Sequence, residues 1–125
     1  MDDADSMAAV RLAAKVVTFP QEAVFSNAGT VRQHVISALL PGVRAVILDM
    51  TPTTFCDTSG LRELVVAHRM GHEKGVEMRV VVPSRLMRMI TLTGLQGVLA
   101  IYPTLAAALA PGPASALTLW PARTF

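Results

Sequence analysis

The order of apolar and polar positions divides the chain into alternating strand-like and helix-like segments. Residues 8–19, AAVRLAAKVVTF, are rich in Val and Ala and stop at Pro20, which predicts one or two short strands. From Ala28 to Leu40 the period changes. Val31, Val35, Ile36 and Leu39 form one apolar stripe of a helix that Ser26 or Asn27 can cap and Pro41-Gly42 ends. Val43 to Met50, VRAVILDM, is β-branched and almost wholly apolar, so it predicts a central strand covered on both faces. Gly60 to Lys74 predicts a second helix closed by Gly75, with Leu61, Leu64, Val65 and His68 inward and Arg62, Val66, Arg69 and Glu73 outward. Val76 to Val82 is the next strand, stopped by Pro83. Ser84 can cap a helix running to Thr93 and ended by Gly94, with Leu86, Met89 and Ile90 inward and Met87, Arg88 and Thr91 outward. Val98 to Tyr102 is a last short strand, and Pro103-Thr104 opens an Ala-rich helix to Ala110. Strands alternating with helices at this spacing predict an α/β fold with parallel strands joined by crossovers.

This places one domain at residues 8–110 and a tail at 111–125. The tail opens on Pro-Gly-Pro, a hinge, and Ala116 to Trp120 has the make-up of an extra strand. Exposure of its Leu117, Leu119 and Trp120 would forfeit about 1.5–3 kcal/mol for each large side chain. Residues 115–120 are therefore expected to dock, on the sheet edge left by a stubby first strand or on a neighbouring chain.

Composition narrows the function classes. The chain has 125 residues, of which 52% are hydrophobic and 16% charged, enough apolar material for one core and too few charges for wholesale disorder. A net charge of +2 with scattered Lys and Arg does not argue for nucleic acid. Cys56 is the only cysteine, so there is no disulfide framework. The start, MDDADSMAAV, is acidic where a signal peptide is basic, and the apolar stretches are too short to span a membrane. A cytoplasmic protein is expected.

The candidate chemistry lies in FCDTSGLREL, Phe55 to Leu64. A Ser59 nucleophile would need a base within reach and a G-x-S-x-G turn; the turn is absent, and His34, His68 and His72 fall on predicted helices. No catalytic residue and no enzyme activity are expected. His68 and His72 could share a helix face, but Arg69 stands where a zincin has Glu and no third ligand follows, so no metal is expected. No phosphate-binding loop is present, so the protein is not expected to phosphorylate anything itself, and no cofactor is implied. Asp57, Thr58 and Ser59 are all good N-cap residues, worth about 1 kcal/mol. Only one can be the cap. The others leave hydroxyls at a positive helix end, which favours a phosphate.

At this point VILDMTPTTFCDTSGLREL resembles the signature of the STAS domain of bacterial anti-sigma-factor antagonists: a Val/Ile strand ending in Asp, a short loop, then Asp-[Ser/Thr]-[Ser/Thr]-Gly-Leu. VVVPS, LTGL and AIYPTLAAAL further along are similar to it as well, over about residues 10–110. The resemblance implies a mixed central sheet of about four to five strands with about four helices. It also implies a non-enzymatic partner-binding role. Such proteins bind an anti-sigma factor, often a serine kinase of the histidine-kinase-like ATPase type, and so release a sigma factor. Phosphorylation before the motif glycine abolishes binding, and a phosphatase restores it. On this chain the implied phosphorylation site is Ser59, with Thr58 as second choice, and Asp57, Gly60 and Glu22 as its neighbourhood. The partner surface is expected at Arg62, Val66, Arg69, Met87 and Arg88.

One departure stands in the turn after the second family strand, usually Gly-Glu-[Ile/Leu]-Asp. Here Glu22 is in place, while Gln21 replaces the Gly and Val24 the Asp. The adjoining VFSNA resembles STAS domains attached to anion transporters. The alternative is therefore a non-switching scaffold or transporter-type STAS domain, an assembly module without a phosphorylation switch.

Overall fold

The structure, a computed structural model, describes residues 13–111. Positions 8–12 of the expected first strand, and the tail expected to dock through residues 115–120, lie outside the described residues.

Strands β1 (Ala14–Thr18), β3 (Ala45–Asp49), β5 (Glu77–Val81) and β6 (Ala100–Tyr102) form a four-stranded sheet in the order β1-β3-β5-β6. Strands β2 (Glu22–Ala23) and β4 (Phe55–Cys56) form a separate two-stranded ribbon. Among the described residues every pairing is parallel. Helices α1 (Phe25–Ala38), α2 (Thr58–Lys74), α3 (Ser84–Thr93) and α4 (Leu105–Leu109) connect or follow the strands. This is the α/β architecture expected from the alternation of elements. The two-residue strands β2 and β4 are too short to show a period.

The central strand is buried on both faces, as its composition requires. Val46 and Leu48 of β3 join a large core with α1, α2 and α3, while Ala45 and Ile47 join a smaller one beneath α4. The smaller core is completed by a charge. Arg79 of β5 is 1% exposed and lies on the Ala45–Ile47 face. Its guanidinium pairs with Glu77 at 2.9 Å, donates to the carbonyls of Ala108 and Ala110 at 2.9 and 2.8 Å, and lies 5.3 Å from the centre of the Tyr102 ring. Arg79 thus holds the last turn of α4 to the sheet through carbonyls the short helix leaves open.

Three helices sit slightly differently from their expected stripes. In α1 the buried residues are Val31, Val35 and Ala38, and Ile36 is exposed. The helix starts at Phe25 rather than Ala28. Asn27 does not cap it: its side chain accepts from the Val24 N–H at 2.9 Å and donates to the Glu22 carbonyl at 2.7 Å. In α2 the buried set is Gly60, Leu61, Glu63, Leu64, Ala67 and Gly71, so Val65 and His68 stand at its margin. In α3 Met87 is buried with Leu86 and Ile90, which corrects the expectation that it points outward. The physical reason is that 86, 87 and 90 form the i, i+1, i+4 face against the sheet, leaving Met89 half-buried at its edge and Arg88 exposed.

Helix α2 approaches the sheet through a glycine. A Cβ on Gly71 would lie 2.5 Å from the Val76 carbonyl oxygen and 2.8 Å from Met78 Cγ. Gly71→Ala should therefore destabilise the fold by about 1–3 kcal/mol, as overpacking does. A urea-unfolding midpoint equal to that of the parent would show slack in the contact of α2 with β5.

Candidate functional site

The segment between β3 and α2 is pinned residue by residue. Asp49, at the end of β3, accepts from the backbone N–H of Thr51 at 2.9 Å and from its hydroxyl. Thr53 is buried and donates its hydroxyl to the Pro20 carbonyl at 2.9 Å. Arg85, at the start of α3, donates to the carbonyls of Thr51 and Thr53. These contacts tie the loop to its neighbours on both sides and fix where β4 and α2 begin. The sequence marked Asp49 as part of a signature but gave no sign of Arg85, whose role depends on a partner more than thirty residues away.

At the start of α2, Asp57 is the N-cap. Its Oδ1 accepts from the backbone N–H groups of Ser59 at 2.8 Å and Gly60 at 3.1 Å. Its Oδ2 accepts from the N–H of Phe25 at 3.2 Å, the first residue of α1. One carboxylate therefore serves open amides at the N-termini of two helices, where a negative charge is favoured. Gly60 is required for space. A Cβ there would lie 2.3 Å from the Ala23 carbonyl oxygen and 2.6 Å from Cys56 Sγ.

Between these two fixed residues stand the hydroxyls. Thr58 is exposed and Ser59 half-buried at the rim, in the first turn of α2. Among the described residues neither hydroxyl takes part in a hydrogen bond. Glu22 is exposed on β2 and pairs in register with Phe55, so the turn in which it was expected does lie beside the start of α2.

Ser59 opens into a groove of about 470 Å³ between α1 and α2, lined among others by Phe25, Gly29, Arg32, Arg62 and Glu63. Arg32 holds both oxygens of the buried Glu63 carboxylate, at 2.9 and 2.7 Å. That bonding and the negative charge of Glu63 push the Arg32 pKa up. Phe25 is 82% exposed and Phe55 52% exposed, an unusual pair of solvent-facing rings beside one motif. Arg62 and Arg69 are exposed on α2, Val66 is half-buried, and Arg88 is exposed on α3; Met87 is not part of this surface. The expected surface thus lacks its Met87, and the apolar exposure near the motif comes from Phe25 and Phe55. Period alone could not find these rings, because both lie at the ends of elements.

The histidines lie elsewhere. His34 lines grooves beside β1, and His68 and His72 line grooves at the far part of α2. Among the described residues no three His, Cys, Asp or Glu side chains are grouped to hold a metal ion, and no helix is long and apolar enough to cross a membrane.

The family model for the STAS domain matches residues 6–108. Among curated proteins none matches the chain. Among solved structures, the chain is similar to an anti-sigma factor antagonist from Mycobacterium paratuberculosis, with 28% identity and a TM-score of 0.68 over 78% of this chain and 83% of that one. It is also similar to a sulfate transporter family protein from Wolinella succinogenes, with 18% identity and a TM-score of 0.68 over 86% and 93% of the two chains. The murine Solute Carrier 26 family member A9 anion transporter matches at 23% identity and a TM-score of 0.63, over 76% of this chain and 17% of that one. At such identities the two transporter likenesses show the fold alone.

Two measurements check the site. Asp57→Ala opens three backbone amides at once and should destabilise by about 1–2 kcal/mol or more, beyond an ordinary cap; a loss below about 0.5 kcal/mol would mean water replaces the carboxylate freely. Burial, and then the charge of Asp57, push the Cys56 thiol from 9.0 up to about 11. The unfolded chain ionises this thiol first, so stability should fall as pH rises through the window from 9.0 to about 11. The unfolding midpoint of Cys56→Ala should decline less over that window, and parallel declines would remove Cys56 as the cause.

Proposed function

The chain belongs to the STAS domain family, and on that footing we propose that it is an anti-sigma-factor antagonist switched by phosphorylation at Ser59. The unphosphorylated protein binds an anti-sigma factor that is also a serine kinase of the histidine-kinase-like ATPase type, and a sigma factor is released. The γ-phosphoryl of ATP then passes to Ser59 Oγ, giving ADP and a proton, and the contact is lost until a phosphatase removes the group. The protein acts by binding rather than by catalysis, needs no cofactor of its own, and works in the cytoplasm.

The observation that carries this reading is the Ser59 hydroxyl: unengaged among the described residues, at the rim, and held on a frame fixed by Asp57 and Gly60. A kinase can reach such a group without unfolding anything. The likeness to the mycobacterial antagonist supports the partner class. The contact face includes Arg62, Val66, Arg69 and Arg88, with Phe25 and Phe55 as its apolar part. Aromatic side chains beside arginines suit the centre of a protein interface. A phosphate adds a charge of about −1.5 to −2 in the middle of that face. A penalty of about 2.7 kcal/mol already lowers affinity a hundredfold.

Incubation with a histidine-kinase-like anti-sigma kinase and ATP should add one phosphate to the protein. Ser59→Ala should fold normally and take up none. Ser59→Asp should weaken binding on the order of a hundredfold. Full labelling of the Ala variant would move the site to Thr58. Stable partner binding with no labelling would favour the assembly-module alternative, for which the transporter-type neighbours share the fold.

A further inference from the structure

We propose that phosphorylated Ser59 delivers its phosphate to Arg62, not to the N-terminus of α2, so that the switch withdraws a cation from the contact face as well as adding an anion to it. This deepens the reading of Ser59 as the modified residue and rests on it.

A helix N-terminus ordinarily attracts a phosphate through its open amides. Here two of those amides, on Ser59 and Gly60, are already taken by a carboxylate. The N–H groups of Ser59 and Gly60 donate to Asp57 Oδ1 at 2.8 and 3.1 Å, and the first amide of α1, on Phe25, donates to Oδ2 at 3.2 Å. The Asp57 carboxylate already sits where an anion would sit, and its charge repels a second one. The phosphate must therefore turn away from the cap into the groove between α1 and α2.

Two guanidinium groups line that groove, and they differ in availability. Arg32 donates to both oxygens of Glu63 at 2.9 and 2.7 Å, and Glu63 is 4% exposed. Moving Arg32 to the phosphate would leave a buried carboxylate without its partner, so Arg32 stays. Arg62 is exposed and, among the described residues, forms no ion pair. It follows Ser59 at i+3, the spacing that places two side chains together on a helix surface. Its planar fork matches two phosphate oxygens at once. An arginine engaged in this way no longer faces the partner.

The test uses the full chain carrying phosphoserine installed at position 59 during synthesis, with the phosphate titrated by phosphorus NMR. Its second ionisation should fall below that of free phosphoserine. In Arg62→Ala it should rise by about half a unit, a threefold change in the ratio of monoanion to dianion. Arg69→Ala, farther along α2, should titrate like the parent. Identical titration in the parent and Arg62→Ala would overturn the proposal, whether or not the value is lowered. Because the phosphate is installed without a kinase, failure of every anti-sigma kinase to label Ser59 would count against the proposed function while leaving this result to stand by itself.

Discussion

The carboxylate of Asp57 is the point on which the geometry of the site depends. It satisfies amides of two helices that are far apart in sequence, so α1 and α2 begin at a fixed place relative to each other. Without such a partner, open amides at each helix end would have to be hydrated, and hydration would loosen the angle at which the helices leave the β2–β4 ribbon. The same bonds settle the electrostatics. They place a negative charge from within the chain at both helix ends, where an external anion would otherwise be favoured.

Around this point the fold supplies rigidity from several directions. Asp49 and Thr53 brace the loop from its own residues, Arg85 braces it from α3, and Glu63 with Arg32 joins α1 to α2 one turn further on. The motif is thus held in place before any partner arrives. A preorganised surface loses little freedom on binding, so a modest contact area can still be selective. On the proposed reading, a change at one hydroxyl would be felt directly by a partner, with no need for a conformational relay.

Much of this was legible in the sequence. The VRAVILDM strand announced burial on both faces, and Gly75 and Gly94 end their helices in the left-handed conformation their positions imply. Asp57 and Gly60 were visible as residue types, although the sequence left open which of Asp57, Thr58 and Ser59 caps the helix; the bonds of Asp57 decide it. Other features were hidden because they depend on distant partners. The buried position of Met87 follows from the sheet that α3 rests on, and Leu86, Met87 and Met89 look alike to any periodicity argument. Arg79 reads as a polar residue in a strand, and the carbonyls at the end of α4, with Glu77 and the Tyr102 ring, explain why it is wholly inside. Glu63 reads as surface charge until α1 brings Arg32 to it.

Gly60 and Asp57 enclose two positions whose hydroxyls, among the described residues, take part in no hydrogen bond. Asp57 is fixed by what it accepts and Gly60 by what leaves no room for it, whereas Thr58 and Ser59 contribute backbone alone to the frame. The segment is in effect a socket with interchangeable contents. For an engineer, the exposed position 58 could carry a different reactive group while Asp57 and Gly60 keep their roles. The means by which this surface is addressed is thereby separable from the structure that presents it.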